Sequence, residues 1–218
     1  MAPVTAHYDD AYFGRQKADA LFGGQAELKK FCPFIKPTDS VVDFGCGGGF
    51  LLAKPICANG IGVDVNPAAQ RSCREQGLAV TSDLSQIEDC WADAVISNHA
   101  LEHTTDPYEK VLQVHRILKP GGTVVFVVPC ERHDYAFRTG DRDQHLYTWS
   151  PMNLGNLFAS AGFDIIECRE YVHRWPPHRH MIIRLFGWTA FHFIARFYGF
   201  LCRRHSQVRI VARKVAVH

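Results

Sequence analysis

The segment at residues 41–50, Val-Val-Asp-Phe-Gly-Cys-Gly-Gly-Gly-Phe, most constrains this chain. An apolar run that closes on an acid and then on Gly-x-Gly is typical of a strand that leads into a ligand-binding turn. Gly45 and Gly47 can adopt backbone angles that other residues resist, and they let a ligand approach the main chain. The Asp43 carboxylate would repel a pyrophosphate but suits an ammonium group. The segment therefore favours an amino-acid-like cofactor over a dinucleotide.

Two further acids follow predicted strands. Asp64 closes an apolar segment nineteen residues after Gly45, near the usual distance of about 20 residues for an acid that binds ribose hydroxyls. Asp83 follows a short third strand and is placed to receive an adenine amino group. Phe50 occupies the last glycine position of Gly-x-Gly-x-x-Gly, which weakens the dinucleotide interpretation. Three acids at three strand ends thus predict a cofactor that contains a nucleoside.

Four more stretches complete a family resemblance: Trp-Ala-Asp-Ala-Val-Ile-Ser-Asn-His at 91–99, Ala-Leu-Glu-His at 100–103, Leu-Lys-Pro-Gly-Gly at 118–122 and Ala-Gly-Phe at 161–163. Together with the three acids, the chain resembles class I S-adenosylmethionine-dependent methyltransferases of the small-molecule branch, closely over 38–148. The resemblance implies a site formed by Asp43, Gly45, Cys46 and Gly47 at the methionine end, Asp64 and Val65 at the ribose, Asp83 and Leu84 at the adenine, and Asn98 and His99 closing the pocket.

The alternation of strands and helices predicts a parallel sheet covered on both faces. The resemblance implies a Rossmann-like α/β fold with seven strands, of which the seventh is antiparallel. Strands are predicted at 40–44, 60–65, 79–81, 93–97, 123–128, 163–170 and 207–211. Helices are predicted at 50–58, 67–76, 107–118 and 151–161. Before them, residues 12–34 are predicted to form one or two helices broken at Gly23-Gly24. We expect residues 1–37 to be a helical lid and 38–218 to be the methyltransferase domain, with insertions at 130–148 and 172–205.

Length and cysteine content bound the class of protein. The chain has 218 residues with 47% hydrophobic content, enough for one α/β domain with a sizeable core. Its eight cysteines include no Cys-x-x-Cys pair, so neither a disulfide framework nor a zinc site is indicated. The first residues lack the basic start and apolar core of a secretory signal. A cytoplasmic location is expected, with membrane association as an open alternative.

The insertion at 130–148 is the expected source of a general base, because it is dense in ionisable groups and follows the fifth strand. His145 is the first candidate, since an imidazole titrates near neutrality, and Asp143 is expected to orient it. His133, beside Asp134, is the second candidate. The alternative is that His145 pins the loop through a hydrogen bond. These four residues also offer metal ligands, but their spacing fits no defined site, so no metal is expected.

Two nucleic-acid activities are disfavoured. Pro129-Cys130 resembles the nucleophile of some enzymes that methylate pyrimidine carbon, but Asn98-His99 stands where a second cysteine motif is expected. The fourth strand also lacks the Asn/Asp-Pro-Pro-Tyr/Phe pattern that grips a base amine. No nucleic acid partner is expected.

The insertion at 172–205 contains a predicted apolar helix at 181–202. Its Arg184, Trp188, His192 and Arg196 recur every four residues and predict a narrow polar stripe, and two arginines argue against a transmembrane span. From residue 165 onward there are ten Arg/Lys and two Asp/Glu, a net charge of +8. Three interpretations remain open: a lid over the substrate, a homodimer interface, or an interfacial helix in which 181–204 makes peripheral membrane contact.

These observations predict an S-adenosylmethionine-dependent methyltransferase that modifies a hydroxyl of a small or lipid-linked acceptor, such as a saccharide or a phenol-like natural product. S-adenosylhomocysteine would be the product. A catalytically silent binding or assembly module is the alternative, and an N-methyltransferase of a small amine is a lesser one.

Overall fold

The computed structural model describes residues 21–131, 136–137, 139, 141, 143–202 and 206–216. They form a seven-stranded sheet with helices on both faces. The strands are β1 (Ser40–Phe44), β2 (Asn59–Val63), β3 (Ala79–Thr81), β4 (Ala92–Asn98), β5 (Leu118–Cys130), β6 (Phe163–Tyr171) and β7 (Ser206–Lys214). The α-helices are α1 (Leu28–Phe31), α2 (Pro67–Glu75), α3 (Pro107–Ile117), α4 (Pro151–Ser160) and α5 (Arg179–Leu201), and short 3₁₀ helices occur at Cys32–Phe34, Leu84–Gln86 and Leu101–His103.

The sheet order is β3-β2-β1-β4-β5-β7-β6. Neighbouring strands from β3 to β5 pair in parallel, whereas β7 runs antiparallel between β5 and β6. This arrangement confirms the predicted Rossmann-like fold with an antiparallel seventh strand. The carboxyl ends of β1, β2, β4, β5 and β6 therefore meet at one edge, and β7 begins there.

Successive residues of β1 belong to cores on opposite faces of the sheet. Val41 packs with Ile96 and Val125 on one face, while Val42 packs with Val95 and Phe126 on the other. A strand buried on both sides is read as a continuous apolar run rather than as an alternating pattern. This burial explains why the central strands could be predicted from their apolar runs in the sequence.

The N-caps predicted before three prolines are confirmed. The side chains of Asn66, Asp106 and Ser150 accept hydrogen bonds from the first-turn N–H groups of α2, α3 and α4. Each cap satisfies a donor that a helix start leaves without an intrahelical partner. These local signals placed the start of every one of the three helices correctly.

Two helical predictions were wrong. Residues 50–58 form turns instead of a helix, and Pro55 interrupts the segment because it lacks an N–H and its ring clashes with a preceding carbonyl. Of the N-terminal helical segment predicted at 12–34, residues 12–20 lie outside the described residues. In the described part, the break falls at Glu27 and not at Gly23-Gly24. A Cβ at Gly24 would lie 2.5 Å from the Phe50 carbonyl oxygen, so this glycine permits close packing against the turn after β1.

The helix α5 matches the apolar helix predicted in the insertion, but it is interrupted at Gly187, which has φ +75°. Its inner face carries Phe191 and Ala195, which pack against Phe22 and Ala26 of the N-terminal segment. Its outer face leaves large apolar side chains exposed, among them Leu185, Phe186, Phe193 and Phe197. The insertion thus covers the N-terminal segment and also presents an apolar surface.

The predicted polar stripe on this helix was wrong. Arg184 and Arg196 are exposed, but His192 is buried, with its Nδ1 3.2 Å from His173 Nε2. Trp188 packs on the cluster around Phe22. The break at Gly187 changes the helical phase between Arg184 and the residues that follow. Within the described ranges, no helix combines the length and the apolarity that a membrane crossing requires.

Candidate functional site

The turn after β1 uses its glycines for different purposes. Gly45 has φ +76°, and a Cβ there would lie 2.2 Å from the Cβ of Ala100. Gly47 has φ +51°, but a Cβ there would meet no atom within 4 Å. Gly45 therefore allows close packing against the segment after β4, whereas Gly47 gives the turn its shape and leaves open space in front of it.

Asp64 ties the end of β2 to this turn. Its Oδ2 accepts a hydrogen bond from Gly47 N at 2.8 Å, and its Oδ1 accepts one from Asn66 N at 2.9 Å. Burial raises the pKa of Asp64, and the two backbone hydrogen bonds oppose that rise. Each carboxylate oxygen keeps further lone-pair capacity, which leaves the predicted contact with ribose hydroxyls open. Val65, the next residue, is exposed.

Asp43 is only 5% exposed at the end of β1. Desolvation by burial and the nearby Asp64 charge raise the pKa of Asp43 to about 7. Within the described part of the chain, no group donates a hydrogen bond to its carboxylate. A buried carboxylate without a donor is costly, and an ammonium group would supply both the charge and the donors. The carboxylate therefore fits the amino-acid end of the predicted cofactor.

Cys46 faces the interior of the turn. Its Sγ lies 3.8 Å from Cys73 Sγ, and a Cβ on Gly62 would lie 2.6 Å from it. The hydrogen bond between Cys46 and Cys73, together with burial, raises the pKa of the Cys46 thiol, so it packs as a neutral group. All eight cysteines are free thiols.

At the predicted adenine end, Asp83 caps the 3₁₀ helix at Leu84–Gln86. Its Oδ2 accepts a hydrogen bond from Lys110 Nζ at 2.8 Å. Burial opposes ionisation, but the bonds from Lys110 and Ser85 prevail and lower the pKa of Asp83 to about 2. Leu84 is fully buried in the core. The contacts of Asp83 and Leu84 with adenine remain predictions.

The fourth strand ends in Asn98 and His99. Asn98 Oδ1 accepts a hydrogen bond from Lys30 Nζ at 3.0 Å. His99 has φ +56°, and its Nδ1 lies 3.2 Å from Oε1 of Glu102. Glu102 is fully buried, and neither of its carboxylate oxygens accepts a hydrogen bond from the described residues.

His145 stands between two carboxylates. Its Nδ1 is 2.7 Å from Glu131 Oε1, and its Nε2 is 3.9 Å from Glu102 Oε1. The orienting carboxylate is thus Glu131, whereas Asp143, predicted for that role, is exposed. The loop is docked here, because Leu146 N donates to the Glu102 carbonyl at 2.9 Å. The second candidate base, His133, and its neighbour Asp134 lie outside the described residues.

One group of side chains could hold a cation. A ligand atom from each of Glu102, His103 and His145 lies within 4.8 Å of the other two. Two imidazoles and a carboxylate suit a borderline divalent metal. This set shares only His145 with the ligands considered from the sequence. It brings two residues after β4 together with one from the loop after β5, a contact that spacing along the chain does not reveal.

Comparison with known proteins decides the family. A family model described as a methyltransferase domain matches residues 15–168. The chain belongs to this methyltransferase family. The resemblance to class I S-adenosylmethionine-dependent methyltransferases is thereby confirmed.

Curated relatives of this methyltransferase include ubiquinone biosynthesis O-methyltransferases. The one from Methylococcus capsulatus is 39% identical over 98 residues, which are 39% of this chain and 41% of the relative. The one from Caulobacter vibrioides is 31% identical over 178 residues, covering 76% of this chain and 58% of the relative. The chain therefore spans less than two thirds of the length of these relatives.

Solved structures share the fold of this methyltransferase. A chain from the complex of the Haloferax volcanii Trm112 methyltransferase activator with a methyltransferase has a TM-score of 0.66 and 21% identity, covering 99% of this chain and 98% of that one. Geranyl diphosphate methyltransferase, solved with GPP and sinefungin, has a TM-score of 0.62 and 18% identity. The match covers 88% of this chain and 77% of that one.

Three residues of the candidate site were not predicted from the sequence. Lys30, Glu131 and Gln207 come from the N-terminal segment, the end of β5 and the start of β7. None lies in a motif, because each acts on a partner far away in the chain or across a loop. Each has a polar neighbour in the chain, so its own polarity did not mark it.

Proposed function

We propose that this methyltransferase transfers the methyl group of S-adenosylmethionine to a hydroxyl oxygen of a small acceptor. One observation carries the proposal: the buried Asp43 carboxylate, without a hydrogen-bond donor among the described residues, stands beside a glycine turn held by Asp64. An anionic group there suits the cationic amino-acid end of the cofactor. Family membership and O-methylation in the curated relatives support the same reaction.

S-adenosylmethionine, held by Asp43, Gly47 and Asp64, would supply an electrophilic methyl group to the acceptor oxygen. The protein contributes chiefly by aligning the oxygen with the methyl group. His145 is proposed to take the hydroxyl proton on Nε2 while Glu131 holds its Nδ1–H. Proton removal of this kind increases the reaction rate by about 10²–10⁴-fold. The same hydrogen bond to Glu131 would also serve a loop-pinning role, which the turnover of a His145 variant distinguishes.

The acceptor is proposed to be phenol-like and lipid-linked. Among the curated relatives, the ubiquinone biosynthesis O-methyltransferases favour a phenol-like compound over a saccharide. The exposed apolar face of α5, flanked by Arg184 and Arg196, would lie on an anionic membrane surface and draw the acceptor to the site. A second copy of the chain is the competing occupant of this face.

The deciding experiment incubates the protein with methyl-labelled S-adenosylmethionine and fractionated host metabolites and lipids. Mass spectrometry then identifies what gains a methyl group and on which atom. Label on an oxygen supports the proposal, and label on a nitrogen replaces it with N-methylation. Cofactor binding without any labelled product would indicate a silent binding module. Asp43→Asn, which keeps the side-chain shape, is the control for cofactor-dependent labelling.

A further inference from the structure

Lys30 is a buried cation that joins three parts of the fold. It is 2% exposed, and its Nζ donates to Asn98 Oδ1 at 3.0 Å and to Gln207 Oε1 at 2.9 Å. It also pairs with Glu27, whose Oε1 accepts a hydrogen bond from Trp175 Nε1 at 3.0 Å. An ammonium has three hydrogens; two of them bond the two amide oxygens, and the Glu27 carboxylate beside the ammonium offsets its charge.

The ammonium fixes the orientation of both amides. An ammonium group only donates hydrogen bonds, so each amide must turn its oxygen toward Lys30 and its NH₂ group away. Within the described ranges, neither Asn98 Nδ2 nor Gln207 Nε2 donates to a protein acceptor. Both side chains are half-buried. Lys30 therefore leaves two oriented donors with capacity for a ligand.

These two donors flank the carboxyl end of β5, where the acceptor must approach. Asn98 of β4 pairs in register with Val127 of β5, and Gln207 of β7 pairs with Pro129 on its other side. Ligands of open α/β sheets bind beyond this edge of the strands. The pair thus sits beside the predicted methyl-donor pocket and close to the start of the loop that carries His145.

We propose that Lys30 is a positioning residue that sets the Asn98 and Gln207 amides as a donor pair for the phenolate oxygen of the acceptor. The inference rests on the proposed function and deepens it by naming the side chains that bind the acceptor oxygen and the residue that orients them. Oriented N–H donors stabilise an oxygen that develops negative charge. A protonated amine would instead bring its own donors against them. The arrangement therefore favours an anionic oxygen over a protonated amine.

The test uses 4-nitrophenol as the probe, because its phenolate absorbs visible light and its ionisation is followed directly. The full chain is saturated with S-adenosylhomocysteine, and the apparent pKa of bound 4-nitrophenol is read from its absorbance. We expect a pKa lowered by about one unit relative to free 4-nitrophenol, which is a tenfold preference for the phenolate. Calorimetry on the same samples records S-adenosylhomocysteine binding.

Two variants and one control assign the effect. Lys30→Met removes the ammonium, and Gln207→Glu keeps a partner for Lys30 but replaces an NH₂ donor with an acceptor oxygen. Both should abolish the shift, whereas Lys29→Met, a change at the exposed neighbouring lysine, should retain it. If Lys30→Met fails to fold, Gln207→Glu decides alone.

Provided that S-adenosylhomocysteine still binds, three results would overturn the inference. The wild-type protein could leave the pKa of 4-nitrophenol unshifted, or could show no saturable 4-nitrophenol binding. Alternatively, the full pKa shift could persist in folded Lys30→Met or in Gln207→Glu. Loss of S-adenosylhomocysteine binding by the wild-type protein would instead overturn the proposed function.

Discussion

Glu131 Oε1 lies 2.7 Å from His145 Nδ1, so a carboxylate just beyond β5 orients an imidazole that follows it by fourteen residues. The ring is 15% exposed, and its Nε2 faces the buried Glu102 carboxylate at 3.9 Å. An imidazole held at one nitrogen by a carboxylate is a general arrangement for proton transfer at the other. The prediction that His145 is the general base can therefore be tested by kinetics.

His145→Ala should lower kcat by at least about 10²-fold, because the acceptor hydroxyl loses its proton acceptor. Calorimetry should show S-adenosylhomocysteine affinity within about threefold of wild type. Glu131→Gln should give a smaller loss, since the imidazole remains. A nearly normal kcat combined with lower thermal stability and a raised KM for the acceptor would show that His145 only pins the loop, and His133 would become the residue to examine.

Asp64→Ala should weaken cofactor binding by roughly tenfold to a hundredfold, which corresponds to about 1–3 kcal/mol. The carboxylate would lose its ribose contacts and its hold on Gly47 N. Titration calorimetry with S-adenosylhomocysteine measures the change. Asp89→Ala, at an exposed acid before β4, is the matched control. Equal affinities of wild type and Asp64→Ala would remove Asp64 from the site.

Asp43→Asn should remove a loss of stability that the cofactor-free wild-type protein undergoes as the pH rises. The pKa of Asp43 is raised to about 7 from 3.8, so the folded state binds more protons than the unfolded state between these values. Its contribution is favourable below about pH 4 and is lost as the pH rises through about 7. Asp43→Asn should therefore be more stable than wild type at pH 8, by up to about 4 kcal/mol, and equally stable at pH 4.

Urea unfolding at pH 4, 6 and 8 checks this stability prediction. Cofactor affinity of Asp43→Asn at pH 8 should fall, because the charge that faces the ammonium is gone. A parallel pH trend in both proteins, or unchanged affinity, would contradict the role assigned to Asp43.

The outer face of α5 should bind anionic vesicles. Phe193 and Phe197 are 75% and 60% exposed, and Arg184 and Arg196 of the same helix are also exposed. The protein should co-sediment with these vesicles at low salt. The bound fraction should fall as salt is added, because charge attraction is screened over about 10 Å at 0.1 M. Arg184→Glu with Arg196→Glu should weaken it, whereas Arg74→Glu on α2 should not. Vesicle-independent dimerisation through this face would favour the homodimer interpretation instead.

The sequence by itself determined the strands, the glycine turn, three helix starts and the family. Each depends on local chemistry: an apolar run buried on both faces of β1, the backbone freedom of Gly45 and Gly47, and an N-cap before proline. The same local logic failed at 50–58, where Pro55 prevailed over an apolar pattern. It also failed at Gly24, whose missing side chain serves a contact with Phe50.

Tertiary structure alone decided how the site is completed. Lys30 meets Asn98 and Gln207, and Glu131 takes the place predicted for Asp143, because hydrogen-bond partners depend on which strand ends adjoin. The two faces of α5 were likewise set by the break at Gly187 and by packing on Phe22. The spacing of apolar residues along the chain predicts a helix or strand and which of its residues share a face. Partners joined across 68 or 177 residues are fixed only when the sheet brings them to one edge.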